Sequence, residues 1–335
     1  MKVFFRILAA MLGIFLGVAA VFLFLNSAPP SSAADRLFSI GKGESLSLVA
    51  GRLQSEGFIR FAPLLRILAR FEGTEGSIKA GYYRIPKGLT TTAIHTLLVS
   101  GVETFERITI PEGWTIHKIA GLLSSRGICD AGEFVSAASS EALCARLGVT
   151  GKSLEGYLFP DTYFLPKPFP AELLAELMVK NFFSRLTEIA PESVKMDKGK
   201  LNEKVILASI VEREYRIADE APMIASVFEN RLALNIGLES CATLEYIITE
   251  IQQKAHPEYI TLEDKRIDSP YNTYKWAGLP PGPISNPGKV ALGAAFHPAR
   301  SDFLYFVLRD PKAGRHYFSK DLGEHNEAKF LYLKN

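Results

Sequence analysis

Val205-Ile206-Leu207-Ala208-Ser209-Ile210-Val211-Glu212-Arg213-Glu214 is the stretch around which the second half of the chain is read. Its nearly unbroken apolar run predicts a core helix over about 202–215. On a 3.6-residue period Val205, Ala208, Ser209 and Glu212 share one face. If the small residues mark where a cleft meets the helix, Glu212 projects into that cleft from apolar surroundings. Burial disfavours an ionised carboxylate, so its pKa should rise. Glu214 lies about 200° further round and cannot share that cleft.

Working outward, a helix is predicted over Ala171–Ile189, followed by a polar, Lys-rich connector. Another helix is predicted at 220–235, with Pro222 near its first turn, where the missing N–H costs nothing. Gly278-Leu279-Pro280-Pro281-Gly282-Pro283 reads as a stiff loop, because proline fixes φ and lacks a donor. Phe303–Leu308 and His316–Ser319, separated by Asp310-Pro311-Lys312-Ala313-Gly314, read as a late hairpin. Residues 151–335 therefore read as a C-terminal α+β domain.

The region before it carries an internal repeat. Ile40-Gly41-Lys42-Gly43-Glu44-Ser45-Leu46 is echoed by Ile110-Pro111-Glu112-Gly113-Trp114-Thr115-Ile116. In each copy a short strand ends at a glycine turn, and Ser45 or Thr115 caps the following helix. The stripes Leu46, Val49, Ala50, Leu53 and Ile116, Ile119, Ala120, Leu123 fall at helical spacing. In the first copy a second helix is expected to turn Phe61, Leu64, Leu65 and Leu68 inward, followed by a strand at Tyr82–Ile85. This pattern loosely resembles the LysM module, over about Leu37–Gly101 with a partial second copy. That resemblance implies binding of glycans containing N-acetylglucosamine. The plainer reading is a small α+β spacer. The boundaries are read as 36–102 for the LysM-like subdomain and 103–150 for the partial repeat.

Residues 1–35 read as tail, transmembrane helix and linker. Ile7–Leu25 is uninterrupted and apolar, long enough to cross a bilayer, which takes about 20 residues. Lys2 and Arg6 precede it, so the N-terminus should stay on the cytoplasmic side of the inner (cytoplasmic) membrane. Ser31-Ser32-Ala33-Ala34 resembles a cleavage site as well as part of a Ser/Pro/Ala linker over Asn26–Ala34. Either way, everything from about Asp35 is expected outside the cytoplasm, periplasmic where an outer membrane exists.

Composition narrows the partners. Charged residues make up 22% of the chain and the formal net charge is +2, with no dense basic cluster. Nucleic acid is thereby disfavoured, whereas a largely neutral glycan is not. Cys129, Cys144 and Cys241 are too few for a disulfide scaffold. No CxxC, HExxH or other metal-ligand spacing occurs, so no metal or cofactor is expected. His297, His316 and His325 read as structural.

The chain resembles the endolytic murein transglycosylases of the MltG (YceG-like) family in five ordered blocks. They are Leu154-Glu155-Gly156-Tyr157-Leu158-Phe159-Pro160-Asp161-Thr162-Tyr163, Ala208–Glu212, and Ala225–Leu232. Ser269–Tyr274 with Gly278–Ile284 follows, then Leu304–Val307 with Gly314, His316 and Phe318 downstream. The resemblance implies cleavage of the β-1,4 bond between N-acetylmuramic acid and N-acetylglucosamine within peptidoglycan glycan strands. It implies 1,6-anhydro ends and a limit on nascent strand length, with residues 151–335 as the catalytic domain and Glu212 as acid and then base. Penicillin-binding proteins or divisome components are its implied partners. Tyr271, Asn272 and Tyr274, in a turn-rich loop, are expected either at the substrate, the tyrosines against sugar faces and Asn272 on an N-acetyl group, or simply ordering that loop. Where the family reads Leu-Gln-x-Asp-x-Thr, this chain has Leu238-Glu239-Ser240-Cys241-Ala242-Thr243. That makes Glu239 and Thr243 further binding residues and replaces a carboxylate with the Cys241 thiol. Two rivals stand beside this reading. One is a peptidoglycan-binding or divisome scaffold of reduced activity; the other is a hydrolysing muramidase, which needs a second carboxylate. Glu239 is the nearest such carboxylate in sequence.

Overall fold

The computed structural model describes residues 2–30, 36–41, 43–101 and 105–332; Ser31–Ala34, Asp35 and Lys42, used above, lie outside them. The chain is α+β, about half helical with small sheets. It packs as two units. One takes in the chain up to Arg107 plus Phe164–Lys167, the other Ile108–Tyr163 plus the chain from Pro168 on.

The first unit opens with α1 (Lys2–Asn26), in which Phe4–Asn26 is long and apolar enough to cross a membrane. Its apolar side chains from Phe4 to Phe24 stand exposed, as in a helix that meets lipid rather than a protein core. The end of α1 is held down. Asn26 Oδ1 accepts from the Thr92 amide at 2.9 Å, and Arg60 Nη2 donates to the Ala28 carbonyl at 3.0 Å. The Arg60 guanidinium also lies 4.9 Å from the Phe24 ring centre. The segment expected as a free linker from Asn26 thus begins docked.

β1 (Arg36–Ile40), α2 (Leu46–Ser55), α3 (Ala62–Phe71), β2 (Gly81–Ile85) and α4 (Thr91–Ser100) complete that unit with the start of the next strand. β1 and β2 are antiparallel with Phe38 opposite Tyr83. Strand alternation turns Phe38, Ile40, Tyr83 and Ile85 onto Val49, Leu53, Leu65 and Ile94. Ser45 and Thr90 cap α2 and α4 through the amides of Leu48 and Ala93, each worth about 1 kcal/mol. Leu64 and Leu65 are buried as expected, but Phe61 is exposed. It precedes the first turn of α3 in extended backbone, so helical spacing does not apply to it.

The other unit contains β3 (Phe105–Thr109), whose first residues belong to the first unit. Then come α5 (Ile116–Ser125), α6 (Ala131–Ala138), α7 (Glu141–Leu147), β4 (Thr162–Pro166), α8 (Ala171–Ile189), α9 (Lys198–Glu214) and α10 (Ala221–Ala233). After them come α11 (Cys241–Tyr246), α12 (Lys289–Phe296), β5 (Tyr305–Asp310), β6 (Arg315–Ser319) and α13 (Leu322–Tyr332). β3 pairs with β4, and β5 with β6 as an antiparallel hairpin. Helices α8, α9, α10 and α12 pack together. Val205 to Val211 are buried without a break, the mark of a helix enclosed on every side. Ala208 on α9 and Ala291 and Ala295 on α12 are small and fully buried, which lets these backbones approach closely. Cys129, Cys144 and Cys241 are free thiols.

Candidate active site

Glu212 lies in the last turn of α9, where the buried run ends and the side chain becomes half-buried. The face it shares with Val205, Ala208 and Ser209 does not open on a cleft along its length, contrary to expectation. The Ser209 hydroxyl accepts from the Ile284 amide at 3.0 Å, and the Ser285 hydroxyl donates to the Ser209 carbonyl at 3.0 Å. The small residues therefore seat the proline-rich loop, and that loop carries Gly288 to the end of the helix.

The Gly288 amide donates to Glu212 Oε2 at 2.9 Å, and the Tyr215 hydroxyl reaches Oε1 at 3.4 Å. Burial pushes the Glu212 carboxyl up to about 7, with the charge of Glu112 adding to the rise. The Gly288 amide and Tyr215 hydroxyl pull the other way. Burial prevails, so an acid that ordinarily ionises near pH 4.5 is poised to give a proton near neutrality. Tyr215 is itself raised by burial and by the neighbouring Glu212 and Glu112.

Glu112 was not among the residues expected here. It stands in the turn before α5, 100 residues from Glu212 in sequence, and is solvent-exposed. That turn is pinned to the Gly288 loop. The Gly113 amide donates to the Asn286 carbonyl, and the Asn286 amide donates to the Trp114 carbonyl, both at 2.9 Å. Gly113 has φ +72, and a Cβ there would meet Glu212 Cγ at 3.5 Å, so glycine suits both the backbone and the neighbour. One signal in the sequence could have found Glu112: at this place in the repeat the first copy has Lys42.

Beneath the turn lies Glu155, only 3% exposed. Its Oε2 accepts from the Ile116 amide at 3.1 Å and its Oε1 from Asn286 Nδ2 at 2.7 Å. Burial pushes this carboxyl up to about 8. Asn286 Oδ1 also accepts from the Leu158 amide at 2.9 Å. One buried amide thus ties the 154–158 segment to the loop that positions Glu212.

The other expected residues make their contacts with groups other than the Glu212 carboxyl. Glu239, Cys241 and Tyr274 line a cavity of about 460 Å³ with Glu214 and Arg231. Burial raises the Glu214 carboxyl, which accepts from the Ser240 hydroxyl. The Tyr274 hydroxyl lies 3.1 Å from Cys241 Sγ, and Glu239 pairs with Arg231 at 3.3 Å. Thr243 is fully buried, donating to the Ser240 carbonyl and bonding Thr273. Asn272 is also fully buried. Its Nδ2 donates to the Lys265 and Ile267 carbonyls, and its Oδ1 accepts from the Tyr274 amide. Tyr271 packs on Tyr246 at 5.2 Å between ring centres. Among the described residues, Glu239, Cys241, Thr243, Tyr271, Asn272 and Tyr274 form no hydrogen bond or ion pair with Glu212. Of the histidines, His316 bonds Glu220 at 2.8 Å, His297 pairs with Glu192 at 3.0 Å and His325 stacks on Tyr305. Among the described residues no cluster of acidic, His or Cys side chains is arranged to hold a metal.

The family model described as YceG-like matches residues 38–330. An endolytic murein transglycosylase of Bacillus subtilis is 31% identical, over 89% of this chain and 84% of its own. One of Streptococcus pneumoniae is 28% identical over 90% of this chain, which spans 60% of that longer protein. A crystal structure of a yceG-like protein from Listeria monocytogenes superposes with a TM-score of 0.59 at 31% identity, covering 88% of this chain and 98% of that one.

Proposed function

The chain belongs to the YceG-like family, and from that premise we propose that it is an endolytic murein transglycosylase with Glu212 as its acid and base. The observation that carries this reading is the Glu212 carboxyl, raised to about 7 and aimed by the Gly288 amide. Protonated Glu212 gives its proton to the glycosidic oxygen as the bond between that oxygen and muramic C1 breaks. The departing N-acetylglucosamine leaves with a free 4-hydroxyl. The muramic 6-hydroxyl then bonds to C1 and yields its proton to Glu212, which restores the acid. No water enters, and the tethered nucleophile gives the step an intramolecular advantage.

The N-terminal helix supports single-pass anchoring, with the rest of the chain outside the cytoplasm and facing the glycan. In the first unit a cavity of about 530 Å³ bordered by Tyr83, Arg84, Pro86, Leu97 and Lys167 supports a LysM-like glycan seat. Penicillin-binding proteins or divisome components are the partners that supply nascent strands under this reading. Glu239 and Tyr274, at their own cavity, are proposed to contact the strand, while Asn272 and Thr243 hold the loop that carries Tyr271 and Tyr274.

The test is digestion of purified peptidoglycan by the full chain in detergent, wild type beside Glu212→Gln, with mass spectrometry of the new ends. Anhydromuramic ends from wild type and none from the variant are expected. Intact glycan binding without cleavage by either would favour a scaffold.

A further inference from the structure

Gly288 lies between two carboxylates. Its amide donates to Glu212 Oε2, while a Cβ built on its Cα would fall 1.8 Å from Glu112 Oε1 and 2.2 Å from Glu112 Cδ. The Glu112 carboxylate therefore rests against the Gly288 Cα, in the space a side chain would take. It is held there by backbone on both sides: the Gly113 amide on the Asn286 carbonyl, and the Asn286 amide on the Trp114 carbonyl. Two acidic side chains from distant parts of the chain thus meet across one glycine. One is half-buried and the other solvent-exposed. Such a difference in surroundings separates a proton donor from a permanent anion.

The geometry points to Glu112 as the ionised partner of Glu212, placed to stabilise the positive charge that develops at the sugar's anomeric carbon when the glycosidic bond breaks. The inference rests on the transglycosylase reading above. The charge at C1 grows as the leaving oxygen departs and before the 6-hydroxyl has bonded, so a fixed anion beside the acid favours the transition state over the bound sugar. The same anion opposes ionisation of Glu212 and helps keep its carboxyl protonated and neutral. Glu112 forms no bond to the sugar in this scheme and takes no proton.

The groups that face Glu212 are Glu112 from the turn before α5, Tyr215 just beyond α9, the Gly288 amide and Arg213 on α9 itself. Arg213 is engaged by Glu245 at 2.6 Å, so its charge is largely spent there. Removing the Glu112 charge therefore leaves the Glu212 carboxyl with less opposition to ionising, and its pKa falls.

The experiment compares wild type, Glu112→Gln and Glu112→Asp as full chains in detergent micelles. Cleavage is followed against pH by anhydromuramic ends. The Glu212 carboxyl is titrated separately by carbon NMR of labelled glutamate, assigned with Glu212→Gln. For Glu112→Gln the cleavage rate is expected to fall about 10- to 100-fold. Both the alkaline limb of the rate and the NMR titration should move to lower pH by roughly half a unit to one unit. Glu112→Asp should recover part of both. An unmoved Glu212 titration in Glu112→Gln overturns the charge pairing, whatever the rate does. A moved titration with an unchanged rate overturns the role at C1. Reducing ends from wild type also overturn it, since Glu112 would then serve a water as base. If wild type releases no ends, the functional reading fails, and the titration still decides the pairing.

Discussion

Asn286 Nδ2 donates to Glu155 Oε1 at 2.7 Å across 131 residues of sequence, and both side chains are buried. The bond matters beyond its own strength because Asn286 serves several groups at once. Its Nδ2 also meets the Trp114 carbonyl at 2.9 Å, and its Oδ1 takes the Leu158 amide. Two residues further on, Gly288 orients Glu212. Asn286→Ala would strand a buried donor at Leu158 and loosen this loop together. The expected cost is about 3 kcal/mol, seen as a fall of roughly 6–12 °C in the thermal midpoint. Peptidoglycan cleavage should fall with it, since the Gly288 amide loses its fixed aim.

Glu155 predicts a pH-dependent stability. Its folded pKa is pushed up to about 8, against an ordinary 4.5. The folded state therefore holds a proton that the unfolded chain has already lost between those values. Stability contributed by this site is full below about pH 4.5 and is lost as pH rises towards 8. Glu155→Gln should flatten that slope. Because Gln replaces one of the two accepting oxygens with an NH2 that only donates, the bond from the Ile116 amide or the one from Asn286 is lost, and the variant should also be less stable at pH 5, by about 1–3 kcal/mol. Thermal melts of both proteins from pH 5 to 8 check this. Parallel curves would show that Glu155 ionises normally in the fold.

The helices were legible where one chemical pattern ran unbroken. Ala171–Ile189 emerges with the expected ends because its apolar spacing is regular and Pro170 precedes it. Pro222 falls in the first turn of α10, and the hairpin forms around Gly314. The surroundings of Glu212 were less legible. Local spacing shows which residues share a face but not what covers that face, so Ser209 read as the wall of a cleft when it is the seat of a loop. Glu112, Asn286 and Gly288 reach the site through turns, where no periodicity announces a side chain's direction. Asn272 has the chemistry to meet an N-acetyl group, but both protons of its amide are spent on carbonyls of its own loop.

Glu212 predicts the form of the activity profile. Cleavage needs the protonated carboxyl, so the rate should be level on the acid side and fall as pH rises through about 7. An ordinary exposed glutamate would give that fall near pH 4–5. Measuring kcat/KM for glycan cleavage between pH 5 and 9 distinguishes the two. A profile still rising above pH 8 would show that Glu212 does not act as the acid.

Gly288→Ala tests the meeting of Glu112 and Glu212 from the opposite side. Gly288 has φ −86, which alanine adopts without strain, and its amide is retained. The three atoms nearest the new methyl group all belong to the Glu112 side chain, with Oε1 1.8 Å away. Glu112 has an exposed side to swing towards, so the protein should fold, with a loss of about 1–2 kcal/mol. Glu112→Ala opens the same space. The two changes should therefore be non-additive, the double variant being more stable than the sum of the single losses allows, by about 1 kcal/mol. Urea unfolding of the four proteins measures that coupling. In activity, Gly288→Ala should reproduce most of the loss seen on removing Glu112, because the carboxylate is displaced rather than deleted. It should add little once Glu112 is gone. Full additivity in both stability and rate would mean that the Glu112 carboxylate does not rest on Gly288.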